Sequence, residues 1–177
     1  MTVTVRVARP ADFGRLGELS AAAYLDSGLL AFGESDWYAG ELRDVARRAR
    51  EAEVLVAVGP GGEILGGVTY VPSHDHPYAE VARAGEAEFR MLAVAAEARG
   101  KGAGEALVRA VIERARAAAR TAVVLSTQPV ATASHRLYER VGFRRAPERD
   151  WAPVPEVTLI GYELRLTEAA DATGLTD

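Results

Sequence analysis

The segment Arg99-Gly100-Lys101-Gly102-Ala103-Gly104 has the composition of an anion cradle. Glycine has no Cβ and accepts positive φ, so glycines at alternate positions let successive backbone N–H groups converge on a closely approaching phosphate. An amphipathic helix is predicted to start within the turn, and its unsatisfied N–H groups and positive dipole end favour the same ligand. Arg99 and Lys101 add full charges at the rim, and Lys101 is the only lysine in the chain. A turn that merely ends a strand tightly is the alternative. The two common nucleotide motifs do not fit. A P-loop needs glycine where Ala95 stands and Ser or Thr after Lys101, and a dinucleotide fingerprint needs Gly or Ala where Glu105 stands.

Other chemistry-bearing residues are sparse. Glu86, Glu88 and Arg90 share one face of a predicted strand, either as a salt-bridged ladder or with a carboxylate in a catalytic role. His74-Asp75-His76 lies in a polar loop without further ligands, so no metal site is expected. His135 is expected to make a surface hydrogen bond. No serine sits in a nucleophile elbow. The chain has no cysteine, which excludes disulfides, thiolate metal sites and a cysteinyl acyl intermediate.

The elements that must position these residues follow from hydrophobic periodicity. Val3, Val5 and Val7 alternate with Thr4 and Arg6 as a half-buried strand, and helices are predicted over 13–24 and 37–52. Residues 54–58 and 64–71 form a hairpin around Gly59-Pro60-Gly61-Gly62. A polar, mobile-looking stretch over 72–85 precedes a strand over 86–94, then the glycine turn and a helix over 103–119. That helix carries Leu107, Val108, Val111, Ile112 and Ala115 on one stripe. A continuous apolar strand over 123–126, a helix over 131–140 ended by Gly142, and a last strand over 157–166 complete the order. The pattern is α/β, a mixed sheet with helices on both faces. It contains one strand-helix-strand crossover that sets two strands parallel, with the glycine turn at the carboxyl end of the first.

Composition bounds the partners. With 49% hydrophobic and 26% charged residues, the chain is ordinary globular material, and a net charge of -4 provides no basic field for nucleic acid or an anionic membrane. No run approaches the length of a membrane span and no leader is visible, so a cytoplasmic protein is expected. Residues 1–166 are expected to form one domain, and 167–177 a polar, disordered tail.

Two segments in order resemble the GNAT superfamily of acyl-CoA-dependent N-acyltransferases, and the resemblance spans nearly the whole chain. Met91-Leu92-Ala93-Val94 followed by Arg99 to Gly104 is similar to that family's acyl-CoA segment, and Leu137-Tyr138-Glu139-Arg140-Val141-Gly142-Phe143 is similar to its second cofactor segment. The resemblance implies a centrally splayed sheet and acetyl-CoA as donor. It places Leu92, Ala93 and Val94 along the pantetheine and acyl carbonyl, Arg99, Gly100, Gly102, Ala103 and Gly104 on the pyrophosphate, and Lys101 near the nucleotide phosphates. Where the family often has an asparagine that bonds the pantetheine, this chain has Ala131, and it contains no asparagine at all; Thr132, Ser134 or a water could take that contact.

For transfer to an amine, the resemblance implies an oxyanion contact from a backbone N–H in Met91 to Ala93, and Tyr138 as the acid that protonates the leaving thiolate. A phenol suits that proton transfer. Glu88 is the leading general base, with Glu86 competing. With no activated nucleophile, direct attack in a ternary complex is expected. The acceptor, a small-molecule or peptide amine, is expected among Asp26, Leu30, Phe32, Glu34, Trp37, Tyr38 and His74 or His76, with Trp151, Pro153 and Pro155 on the same side. A homodimer through the terminal strand is conceivable. The alternative function is a catalytically inactive module of the same fold that binds or senses acyl-CoA.

Overall fold

The computed structural model describes residues 2–166; the expected disordered tail lies outside them. Among the described residues the elements run β1 (Thr4–Val7), α1 (Phe13–Asp26), α2 (Trp37–Arg43), α3 (Val45–Glu51), β2 (Glu53–Val58), β3 (Ile64–Val71), β4 (Glu86–Val94), α4 (Ala103–Ala117), β5 (Ala122–Thr127), α5 (Thr132–Val141), β6 (Arg144–Arg145), β7 (Trp151–Val154) and β8 (Val157–Arg165). The strands form one mixed sheet in the order β1-β2-β3-β4-β5-β8-β6, with β7 paired to β8. Only the β4–β5 pair is parallel, as the crossover through α4 requires.

That parallel pair is also where the sheet comes apart. Pairing runs from Glu86 opposite Ala122 to Glu88 opposite Val124 and then stops, although β4 continues to Val94 and β5 to Thr127. On the other side of β4, Arg90 faces Thr69 and Ala93 faces Gly67, leaving Met91 and Leu92 together opposite Val68. This is a β-bulge, and Met91 adopts φ 58°, the left-handed region that a side-chain-bearing residue rarely enters. The bulge bends β4 away from β5 and opens a cleft between them.

Burial of Val123, Val124 and Leu125 in succession means that both faces of β5 are covered. The α4 stripe Leu107, Val108, Val111, Ile112 and Ala115 is buried as its periodicity predicts, each larger side chain contributing roughly 1.5–3 kcal/mol.

Three local expectations need correction. The helix predicted over 37–52 is two helices, because Asp44 ends α2 and caps α3 by accepting the Arg47 N–H at 3.1 Å. The buried Arg48 guanidinium reinforces the break by donating to the carbonyls of Glu41 and Leu42 at the end of α2. Residues 72–85 are tied down: Tyr78 is buried, and its N–H donates to His76 Nδ1 at 3.1 Å. Finally, Trp151 to Val154 is a strand that forms a hairpin with β8.

Candidate active site

The cleft between β4 and β5 holds a cavity of about 160 Å³. Phe89 to Leu92 line it from β4, Ser126 to Gln128 from β5 and the loop after it, and Ala131, Ser134 and Tyr138 from α5 and its entry. The remaining walls come from the α1–α2 region, including Phe32, Trp37 and Tyr38, and from Pro153, Val154, Val157 and Leu159 of the terminal hairpin. Two hydrogen bonds fasten this enclosure. Gln128 Nε2 donates to the Leu29 carbonyl at 2.6 Å, joining the β5–α5 loop to the α1–α2 loop, and Trp151 Nε1 donates to Ser126 Oγ at 3.1 Å, docking the hairpin.

The glycine turn follows β4 along the chain. Gly100 and Gly102 adopt φ 73° and 87°, so both need the freedom that glycine supplies, and a Cβ at either would meet nothing within 4 Å. The space beside them is open to an incoming group. Gly104 differs: its φ is not positive, and a Cβ there would lie 3.1 Å from Leu137 Cδ2. It is a packing glycine that lets α4 approach α5. Gly102 is the N-cap of α4, so the N–H groups of Ala103, Gly104 and Glu105 have no partner within the helix.

The charges around the turn suit an anion. Arg99 and Lys101 are exposed and have no ion-pair partner among the described residues. Glu105, the acid in the first turn of α4, is held by Arg109 at 2.8 Å and Arg140 at 3.3 Å, which keep its carboxyl below the usual range. Glu97 pairs with Arg15 at 2.8 Å. An acceptor-free nest with its acids neutralised is a fit for a pyrophosphate.

Tyr138 sits deep in the cavity wall, 5% exposed. Its ring packs edge-on against Phe89 at 5.8 Å and lies 6.0 Å from Phe143 and 5.9 Å from Tyr162. Burial raises its pKa, with a hydrogen bond from Ser134 opposing the shift, so the phenol keeps its proton throughout the neutral range. Leu92 lines the cavity beside it, Ala93 is buried, and Val94 is half-buried.

The carboxylates are arranged otherwise than the sequence suggests. Glu86, Glu88 and Arg90 form no ladder. Glu86 pairs with the buried Arg149 at 2.6 Å, which holds its carboxyl low against the opposing effect of burial. Glu88 is 0% exposed and does not line the cavity. Its Oε2 accepts the backbone N–H groups of Glu80, Val81 and Ala82 at 2.9, 3.1 and 3.1 Å. Burial raises the Glu88 pKa, and these three donors pull it back. Two other carboxylates line the cavity, Asp36 and Glu80, and Glu88 holds the segment that carries Glu80 in place. Arg90 lies 2.6 Å from Glu80 and also lines the cavity. No periodicity marks Glu80; the only sequence signal is an acid shortly before the β4 strand.

Of the expected acceptor residues, Phe32, Trp37 and Tyr38 line the cavity, with Pro153 opposite. Asp26, Leu30, Glu34, His74, His76, Trp151 and Pro155 do not. Leu30 is core, and His76 Nε2 lies 2.7 Å from the Glu51 carbonyl. His135 Nε2 lies 2.9 Å from the Gln128 carbonyl. Among the described residues no group of three or more His, Asp or Glu could hold a metal ion, and no helix is long and apolar enough to cross a membrane.

Residues 21–143 match the model of the acetyltransferase (GNAT) family. Among curated proteins, the N-acetylaspartate synthetase of Danio rerio is 45% identical over 71 residues, 40% of this chain and 25% of that protein. The Homo sapiens protein of the same name is 42% identical over 72 residues, 41% of this chain and 24% of its own length. The chain therefore spans about a quarter of the length of these relatives. Among solved structures, a GCN5-related N-acetyltransferase from Kribbella flavida superposes with a TM-score of 0.67 at 26% identity, covering 93% of this chain and 98% of that one. An acetyltransferase of the GNAT family from Staphylococcus aureus Mu50 gives 0.70 at 14% identity over 94% and 100%. A putative acetyltransferase from Salmonella typhimurium, solved with acetyl-CoA, gives 0.63 at 21% over 99% and 100%.

Proposed function

The chain belongs to the GNAT acetyltransferase family, whose donor substrate is acetyl-CoA, and on that premise we propose that it transfers the acetyl group to a primary amine by direct attack in a ternary complex. The observation that carries this reading is the split between β4 and β5, with Tyr138 and the Glu80 carboxylate lining the same cavity. Relatives named for making N-acetylaspartate support N-acetylation as the reaction class.

Acetyl-CoA supplies an activated thioester: the N–C bond forms as the C–S bond breaks, and CoA leaves as a thiol. The turn from Arg99 to Gly104 holds the pyrophosphate through the helix N-terminal amides, with Lys101 toward the nucleotide phosphates. Leu92, Ala93 and Val94 flank the pantetheine arm, and the bulge at Met91–Leu92 frees backbone N–H groups that a flat ladder would consume, which suits stabilisation of the developing oxyanion. Ser134 stands one helical turn from Tyr138 and borders the same arm, where Ala131 offers no polar side chain.

Tyr138 donates the proton that the departing sulfur takes up and is reprotonated by the second proton that the acylated nitrogen sheds in becoming an amide. Burial keeps its phenol protonated through the neutral range, which is the state a general acid needs. Glu88 acts as a positioning residue, holding the segment that carries Glu80. Thiol release from acetyl-CoA, followed against a broad panel of amines, tests the reading. Turnover with an intersecting initial-rate pattern is expected. A parallel pattern would reject direct attack, and tight acetyl-CoA binding without turnover of any amine would favour a non-catalytic module.

A further inference from the structure

The cavity wall contains an ion pair whose two members both face the space where an acceptor must sit. Arg90 Nη2 lies 2.6 Å from Glu80 Oε1, and the side chains retain 17% and 23% of their surface. A pair that keeps this much contact with water contributes little to stability, so it is poorly explained as a stabilising device. The third charged group of the lining, Asp36, is already committed: it accepts the Tyr38 N–H at 2.9 Å and the Phe32 N–H at 3.1 Å. Glu80 and Arg90 are thus the charges with capacity left for a ligand. A guanidinium has five N–H donors. Arg90 directs one toward Glu80 and one to the Tyr78 carbonyl at 3.2 Å.

The proton that must leave the acceptor makes the choice of ligand sharper. An ammonium cannot attack, so one proton passes from the acceptor nitrogen to the nearest carboxylate, Glu80, leaving a neutral amine and a neutral carboxylic acid. At that moment Arg90 loses its counter-ion beside the aromatic walls Phe32, Trp37 and Tyr38. Glu88 makes no ion pair with Arg90; its Oε2 is held by three backbone N–H groups, so its charge acts on the guanidinium only at a distance. An acceptor that carries its own carboxylate replaces the lost counter-ion. Before the transfer, ammonium sits on Glu80 and carboxylate on Arg90; afterwards, the Arg90–carboxylate pair persists beside two neutral groups. Every charge is paired in both states.

We propose that Glu80 and Arg90 form a two-point receptor for an acceptor bearing a carboxylate beside its amine, an amino acid, and that Glu80 takes up the amine's proton. The inference rests on the N-acetyl transfer reading above. The groups acting on Glu80 are Arg90 and Glu88 from β4 and Tyr38 from α2, against which Tyr24 of α1 packs at 5.9 Å. Burial raises the Glu80 pKa and Arg90 opposes it, so the acidic limb of activity lies above the ordinary glutamate range.

The experiment measures thiol release by the full chain with matched acceptors: amino acids, their carboxamides, and the amines obtained by removing the carboxylate. The amino acid is expected to exceed its two analogues by about 100-fold or more in kcat/KM, the scale of an unpaired buried charge. Arg90→Gln shrinks the preference by lowering the amino-acid value by about that factor and the bare-amine value by less, since it also removes the partner of Glu80, and Arg90→Lys retains part of the preference. Glu80→Gln lowers kcat with every acceptor and removes the acidic limb of the pH profile. Circular dichroism melts establish that each variant is folded. Equal use of amino acids and bare amines by the wild type would overturn the inference while leaving N-acetyl transfer standing, as would an Arg90→Gln variant that loses both alike. A chain that turns over no amine would fail both.

Discussion

Glu88 offers the sharpest test, because the same residue has two readings with opposite kinetic signatures. Its Oε2 is the acceptor for three consecutive backbone N–H groups, at 2.9, 3.1 and 3.1 Å, while Oε1 is buried without a partner. Glu88→Ala strips all three donors at once. An unpaired buried N–H costs about 1–3 kcal/mol, and relief of a desolvated carboxylate together with water entry offsets part of the sum, so a net loss of roughly 2–5 kcal/mol is expected. In a domain of this size that lowers Tm by about 4–20 °C. Glu88→Gln keeps an oxygen for the three donors and loses only the charge, so about 1–2 kcal/mol is expected. The pH dependence adds a sign. Burial raises the Glu88 pKa in the folded state, so the folded chain binds the proton more tightly than the unfolded chain. The corresponding stability is fully present below the ordinary glutamate range and is lost as pH rises through the raised value. Wild type therefore gains on Glu88→Gln as the pH is lowered from neutral. Thermal melts across that range, paired with pH-rate profiles, decide the matter. If Glu88→Gln removes the acidic limb of kcat/KM, Glu88 is itself the base and the positioning argument is refuted.

Tyr138→Phe leaves the ring contacts with Phe89, Phe143 and Tyr162 in place and removes only the hydroxyl. kcat at saturating substrates is expected to fall by about 10²–10⁴ with the melting temperature nearly unchanged, whereas wild-type kcat would exclude Tyr138 as the acid. Arg149→Leu strands Glu86 and Glu163, which lie 2.6 and 3.2 Å from its guanidinium, and frees the Val81 carbonyl. Denaturant unfolding is expected to show a loss of about 3–5 kcal/mol, and a change below 1 kcal/mol would mean the pair is idle. Gly102→Ala places a side chain at φ 87° in open space. It is expected to cost about 1–2 kcal/mol and to raise KM for acetyl-CoA more than KM for the acceptor; an unchanged KM for acetyl-CoA would detach the turn from donor binding.

The proposed donor half is the part with a sequence signature, because it is built largely from backbone. Glycines at 100 and 102, an amphipathic α4 and the Leu137 to Phe143 segment announce themselves through spacing. The acceptor half is built from side chains that three separate segments bring together, and no period records that convergence. Glu80 sits in a stretch of Pro, His and Ala that reads as loop, and its placement depends on a carboxylate eight residues later whose alternation along β4 resembles any exposed ladder. Arg149 is similarly hidden: it stands in an ordinary polar run, yet it is 5% exposed and joins the terminal strands to the Glu80 segment. The break at Asp44 leaves no mark in the periodicity, because apolar and basic residues continue in helical register across it, while the capping hydrogen bond and the buried Arg48 outweigh that register.

The two halves are not independent, and Met91 is where they meet. A methionine at φ 58° costs about 1–3 kcal/mol and persists only where its surroundings over-determine it. Those surroundings are Ala21, Leu30, Ala39 and Leu42, a separate buried cluster contributed by α1, α2 and the loop between them. Packing of these helices on the Met91 side chain thus compensates the strain that opens β4 away from β5. The same α1–α2 region presents Phe32, Trp37 and Tyr38 to the cavity. The segment that lines the cavity therefore also holds the bulge in β4.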